Sequence, residues 1–282
     1  MTATTTTAST IPSTIPPTAR AAKGSLLSDT IVMAQRNLVR IVRTPQLLVF
    51  NSIQPVMFVL LFRFVFGGAI AAKGFEGRYV DYLMPGILVQ TSLFGGAGTA
   101  VGLAEDMTKG IVDRFRSLPM ARSAVLGGRA LADLVRSAFV LALMVAVGSL
   151  VGFRFHNGFL PGLAAMGLVL AFGFAFSWFF ALIGLVVKEP ETAQVAGFLP
   201  IFPLTFAAST FVPIQSMPGW LQVFARNQPV SHMVNAVRSL TQGVFPPTTV
   251  APAKPVALAL IWIVVITAVM ATLAIKRYRA GS

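Results

Sequence analysis

The sequence predicts an all-α protein that crosses a membrane six times, and three observations lead there. First, 55% of the 282 residues are hydrophobic and only 11% are charged, against about 25% charged in an ordinary soluble domain. So few charges cannot clothe a soluble body of this length, so lipid must be the solvent for most of its surface. Second, the apolar residues gather in six runs, each near the roughly 20 residues that span a bilayer. Third, the basic residues cluster beside those runs, at Arg36, Arg40 and Arg43, at Lys109, Arg114, Arg116, Arg122 and Arg129, and at Lys276, Arg277 and Arg279. A nucleic-acid reader would need a basic stripe on a soluble face. The formal net charge of +13 here marks the side of a membrane instead.

Residues 1–24 form a Thr-, Ala-, Ser- and Pro-rich tail without the apolar centre of a signal peptide, and read as a disordered cytoplasmic lead. The membrane-spanning body is expected over 25–282. Ser28 to Arg43 reads as an amphipathic helix in the membrane interface. Ile31, Leu38 and Val42 lie on one face, opposed by Gln35, Arg36, Arg40 and Arg43, with Asp29 in the first turn. The spans are placed at about 46–66, 83–104, 131–151, 161–187, 194–212 and 255–275. With both termini cytoplasmic, 14 of the 22 Lys and Arg fall on that side and six outside, which fixes the expected orientation. Arg63 and Arg136 fall near span ends, from which a long side chain reaches the interface.

Two loops have structure of their own. Over Glu105–Pro119, Met107, Ile111, Phe115 and Leu118 recur at helical spacing, with Asp106, Lys109, Asp113 and Arg116 away from that face. Acids open this helix, bases close it and Pro119 stops it. It reads either as an interfacial helix resting on lipid or as a docking helix for a cytoplasmic partner. Before the last span, Pro218 opens a short helix over Trp220–Arg226. After Pro229, the residues Val230, Met233, Val234, Val237 and Leu240 mark a second, with Gly243 as its stop.

Catalytic machinery is missing from the sequence. No glycine is followed by lysine, so the phosphate-binding loop of an ATPase is absent. There is no HExxH metal motif, no cysteine, and only His156 and His232, which read as interfacial hydrogen-bonding groups near the outer surface. None of the nine carboxylates falls in the middle of a predicted span, which speaks against a proton-coupled carrier. The aromatic run Phe172, Phe174, Phe176, Trp178, Phe179 and Phe180 reads as lipid-facing packing. Gly95, Gly96 and Gly98 read as a site of close helix approach. Asn51, Gln54, Gln90, Thr91 and Thr205, with Phe94, form a candidate cavity for a large, mostly apolar compound with a few polar atoms.

Four stretches also carry a family resemblance. Tyr82-Leu-Met-Pro-Gly-Ile-Leu-Val-Gln-Thr91, Gly102-Leu-Ala-Glu-Asp-Met-Thr-Lys-Gly-Ile-Val-Asp-Arg-Phe-Arg-Ser-Leu-Pro-Met-Ala-Arg-Ser123, Gln54-Pro-Val-Met-Phe-Val-Leu-Leu-Phe62 and Asn227-Gln-Pro-Val-Ser-His-Met-Val-Asn-Ala-Val-Arg238 resemble the permease subunit of daunorubicin/doxorubicin-resistance-type ABC exporters. The resemblance implies a six-span half-transporter that forms a homodimer in the cell membrane. It also implies two copies of a separate cytoplasmic ATP-binding subunit, which hold the ATP and Mg. The 105–119 helix becomes the coupling helix, with Asp106, Lys109, Asp113, Arg114 and Arg116 contacting the ATPase and Ile111 and Phe115 as apolar anchors. The Ser28 helix becomes the connecting helix. The expected cargo is an amphipathic, largely apolar compound such as an anthracycline or a lipid. The alternative is a stand-alone carrier driven by a proton gradient.

Overall fold

Every regular element among the described residues is helical in the computed structural model, which describes residues 26–43, 45–67, 78–110, 122–187, 189–243 and 253–280. Helix α1 spans Leu26–Arg43 and α2 spans Pro45–Leu61, continued by a π-helical turn at Phe62–Phe66. Then come α3 (Tyr79–Thr108), α4 (Arg122–Leu150), α5 (Phe159–Val187) and α6 (Pro190–Phe206). A single 3-10 turn at Ile214–Ser216 leads into α7 (Gly219–Asn227), α8 (Pro229–Gln242) and α9 (Ala253–Ala280). The tail 1–24 and the stretch 111–121 lie outside the described residues.

Among the described residues, four helices are long and apolar enough to cross a membrane, with spans at Tyr79–Thr108, Gly127–Leu150, Phe159–Val187 and Lys254–Tyr278. Helices α2 and α6 are 17 residues each, about 26 Å at the α-helical rise. That is shorter than the six-run reading gives them. Pro55 lies inside α2, and Pro200 and Pro203 lie inside α6.

The bundle is built around α3. From Tyr79 to Leu93 every residue of α3 is buried, because α5, α6, α4, α8 and α2 all pack on it. Small residues let the backbones close up. A Cβ on Gly184 of α5 would lie 2.5 Å from the Ala100 carbonyl oxygen of α3. A Cβ on Gly96 of α3 would likewise lie 2.5 Å from the Phe180 ring of α5. Ser92 Oγ donates to the Val169 carbonyl across this seam at 3.2 Å.

The aromatic run of α5 departs from its expected lipid-facing role. Phe172, Phe176, Phe180 and Trp178 are all buried, since α5 is wedged between α3 and α9 and also meets α4 and α8. A run that is hydrophobic on every side gives no hint of which face is covered, so lipid and protein look alike from its sequence. On α1, Met33 and Ala34 are buried where the helix packs on α4, while Ile31, Val32 and Val39 are exposed.

At the Tyr79 end, α8 is fixed across α3. Val230, Met233, Val234 and Val237 are fully buried. Gly243 ends this helix at φ 74°, a conformation that glycine adopts without steric cost.

Candidate functional site

Toward the Glu105 end, the helices around α3 separate and leave a cavity of about 420 Å³, within the usual range for small-molecule sites. Four helices form its main wall. α2 contributes Gln54, Pro55 and Phe58, and α3 contributes Gln90, Thr91 and Phe94. α4 contributes Arg129, Asp133, Arg136 and Ser137, and α6 contributes Phe198.

One side of the cavity is aromatic. Phe94 packs on Phe198 with ring centres 5.5 Å apart and meets the edge of Phe202 at 6.1 Å. The facing side is ionic and comes from α4. Arg129, Asp133, Arg136 and Ser137 stand at positions i, i+4, i+7 and i+8, which is one face of a helix. Arg136 Nη2 donates to the Gly95 carbonyl of α3 at 2.6 Å and pairs with Asp133 at 3.3 Å. Thr99 Oγ1 donates to the other Asp133 oxygen. One turn lower, Arg129 Nη1 donates to Asp106 Oδ2 at 2.9 Å. These charges knit α4 to α3.

Arg136 therefore does not reach out to the interface as its place near a span end predicts. Its side chain is 10% exposed and is held inward by a backbone carbonyl that only the tertiary fold supplies. Gly95 is the partner in that contact: its carbonyl meets Arg136, and a Cβ there would lie 3.5 Å from Ser137 Oγ. Gly98 on the same helix has open space around it and lines the cavity.

Of the cavity residues expected from sequence, Gln54, Gln90, Thr91 and Phe94 are brought together on this wall. Thr205 is not. It is buried, and its hydroxyl donates back to the Ile201 carbonyl at 2.8 Å, so it satisfies itself within α6. The Asn51 side chain lies outside the described residues.

Among the expected coupling residues, Lys109 is exposed and pairs with Glu105 at 3.3 Å. Asp106 is buried and turned toward Arg129, which corrects its expected place on a partner-facing surface. Glu105 and Asp106 belong to the last turns of α3, which runs on to Thr108 before Gly110 turns the chain at φ 66°. Ile111, Asp113, Arg114, Phe115 and Arg116 lie outside the described residues.

A second polar cluster sits at the opposite end. Arg238 of α8 is 3% exposed. Its Nη2 donates to the Tyr82 and Ser209 carbonyls at 3.0 and 2.9 Å, and its Nη1 to Asn235 Oδ1 at 3.2 Å. Burial pulls its pKa below the usual guanidinium value, and the adjoining Tyr82 opposes that shift. Tyr79 and Tyr82 donate to the Phe211 and Ser209 carbonyls, so α3, α8 and the turn after α6 share one buried network. His156 Nδ1 lies 2.7 Å from Gln242 Oε1. Among the described residues no group of three His, Asp or Glu is placed to hold a metal ion.

Known proteins resemble this chain in sequence over most of its length. The chain is 36% identical over 224 residues to the daunorubicin resistance ABC transporter permease protein DrrB1 of Streptomyces coeruleorubidus, covering 79% of this chain and 78% of that protein. It is 29% identical over 170 residues to the doxorubicin resistance ABC transporter permease protein DrrB of Mycobacterium tuberculosis, covering 60% of this chain and 59% of that one. The ABC-2 type transporter family matches residues 28–241, from α1 through the end of α8. With helices long and apolar enough for several crossings and a match over most of its length, this multi-pass membrane protein belongs to the ABC-2 type transporter family.

Proposed function

We propose that this chain is the membrane subunit of an ATP-driven exporter that moves an amphipathic, largely apolar compound, a drug or a lipid, out of the cell. The observation that carries the reading is the family match over 28–241, to which the cavity geometry adds a mechanical argument. Helices α3 and α4, the two walls joined by Arg136 and Arg129, are consecutive in the chain. The segment that connects them is the basic stretch after Lys109. A push on that stretch reaches both walls of the cavity at once.

On this reading a separate ATPase, in two copies, binds ATP and Mg and presses on the connecting segment, with Lys109, Asp113, Arg114 and Arg116 as polar contacts and Ile111 and Phe115 as anchors. The permease works as a homodimer. Helices α2 and α6 complete six crossings, each helped by its continuation beyond the regular α-helix. Both termini face the cytoplasm, as the distribution of Lys and Arg favours. Helix α1 lies along the cytoplasmic surface and links the ATPase to α4, on which it packs.

The test is co-purification of the chain with its candidate ATPase in nanodiscs, followed by ATP hydrolysis with and without the permease. A complex with two copies of each and an altered hydrolysis rate supports the reading. Absence of any complex, with export driven by a proton gradient alone, overturns it.

A further inference from the structure

Helix α1 carries an exposed stripe of mixed character. Val32, Arg36, Val39 and Arg43 are all exposed and stand at i, i+4, i+7 and i+11, one face of a helix on which valine and arginine alternate. The opposite face is fixed. Met33 and Ala34 are buried, and a Cβ on Gly128 of α4 would lie 2.5 Å from Met33 Cβ, so α1 has no room to roll and hide the stripe. Open water suits the arginines but not the valines, and hydrocarbon suits the valines but not the arginines. Both are satisfied at the boundary between acyl chains and headgroups. Helix α1 ends at Arg43 and α2 begins at Pro45, so α1 lies level with the start of α2.

The last turns of α9 repeat the pattern at the same end of the bundle. Ile261, Val265, Val269 and Leu273 form an exposed row at intervals of four. Arg277, four residues further on, is exposed too, beside exposed Lys276. An apolar row on a helix whose apolar window is 11% buried is covered by lipid, and the cations that end it stand where lipid phosphates lie. Ala274 and Tyr278 of α9 share a buried cluster with Met33 of α1, so the two basic segments converge at one corner. On these two helices the charge is one-sided. Helix α1 holds three arginines against Asp29 alone, and α9 closes on Lys276, Arg277 and Arg279 with no acid in its length.

We infer that α1 and the Lys276 and Arg277 end of α9 form a binding surface for anionic phospholipid. Arg36, Arg43, Lys276 and Arg277 meet the negatively charged headgroup, and Val32, Val39 and Leu273 lie along its acyl chains. A zwitterionic headgroup, which carries its own cation beside the phosphate, is held less well. The inference goes beyond the exporter reading and is measured without transport or ATP hydrolysis.

The test uses the full chain in phosphatidylcholine nanodiscs that contain a small fraction of one of two photoreactive lipids. These are a phosphatidylglycerol and a phosphatidylcholine with the same diazirine-bearing acyl chain, and labelled peptides are mapped by mass spectrometry. Phosphatidylglycerol is expected to label peptides covering 32–39 or containing Leu273 at least about fivefold more than phosphatidylcholine does, the worth of one basic residue at a charged surface. High salt shrinks that excess. Arg36→Gln with Arg43→Gln is expected to remove most of the excess on the α1 peptide, and Lys276→Gln with Arg277→Gln most of that on the α9 peptide. Arg78→Gln with Arg226→Gln takes two cations from the Tyr79 end of the bundle and leaves both unchanged. Equal labelling by the two lipids in the unaltered chain overturns the inference, as does an excess that the Arg78 and Arg226 pair lowers as much as the other two. So does an excess that survives both pairs in chains with a normal thermal transition. Labelling of α1 by neither lipid, with its stripe protected instead by a purified partner ATPase, makes this face a protein interface. That result overturns the inference while the exporter reading stands.

Discussion

The guanidinium carbon of Arg238 sits 3.7 Å from the centre of the Tyr82 ring, joining α8 to the first turn of α3. The cation is stacked on a ring, hydrogen-bonded to two carbonyls and cut off from water, so each partner depends on the other. Without the arginine, the carbonyls of Tyr82 and Ser209 each lose a charged donor, and Ser209 keeps only the Tyr82 hydroxyl of the two side-chain donors named above.

Arg238→Met is therefore expected to destabilise the protein by about 2–3 kcal/mol, through the lost charge-assisted hydrogen bonds and ring contact. Arg238→Lys recovers part of this, because an ammonium keeps the charge but not the planar fork. Thermal unfolding of the two variants in nanodiscs checks the order. Equal stability of Arg238→Met and the unaltered chain would remove α8 as an anchored element.

Asp133 and Arg136 form a second dependent pair. Replacing either alone, as Asp133→Asn or Arg136→Gln, strands its partner and is expected to cost about 3 kcal/mol. The double variant costs less than the sum of the two singles, by at least ~1 kcal/mol. A double-mutant cycle on unfolding free energies measures the difference, and strict additivity would mean that the pair is not coupled.

Close packing of α3 on α5 separates two glycine substitutions that look alike in sequence. Gly184→Ala drives a methyl group toward the Ala100 carbonyl, where neither backbone has room to yield, and an overpacking loss of about 1–3 kcal/mol is expected. Gly98→Ala meets nothing within 4 Å and leaves stability unchanged or slightly raised, since alanine is the better helix former. Melting temperatures of the two variants give the comparison directly.

The connecting segment is tested by charge reversal. Arg114→Glu combined with Arg116→Glu is expected to leave the chain inserted and folded, while export falls to background with ATP hydrolysis by the partner no longer linked to it. Export at the original rate would exclude these arginines from the coupling contact.

Much of this arrangement is legible in the sequence. The ends of α5 and α9 follow from apolar runs and flanking charge, and Pro229 with Gly243 brackets α8 because one suits a first helical turn and the other a left-handed stop. Gln54, Gln90 and Thr91, which share the cavity wall, are noticed because polar groups within apolar runs are rare. The α4 stripe is missed although Arg129, Asp133 and Arg136 have helical spacing. Hydropathy starts that span at 131 and treats charges near its end as wetted. The partners that hold them inside, the Gly95 carbonyl and Thr99, lie on another helix. Arg238 is missed for the same reason, since nothing near it in the chain announces Tyr82.

The contrast between α3 and α9 bears on how the protein is made. The apolar window of α3 is 72% buried with a mean hydropathy of 1.4, whereas that of α9 is 11% buried with a mean hydropathy of 2.7. Helix α9 is thus fit to partition into lipid alone, while α3 is fit for a neighbourhood that has not yet been synthesised when it leaves the ribosome. Its Gln90, Thr99 and Asp106 meet lipid, or linger at the insertion machinery, until α4 and α5 emerge to cover them. A chain truncated after α3 should integrate poorly and one truncated after α5 efficiently, a difference that glycosylation tags on the nascent chain would register. The helix at the centre of the finished bundle is the one that depends on later segments to stay in the membrane.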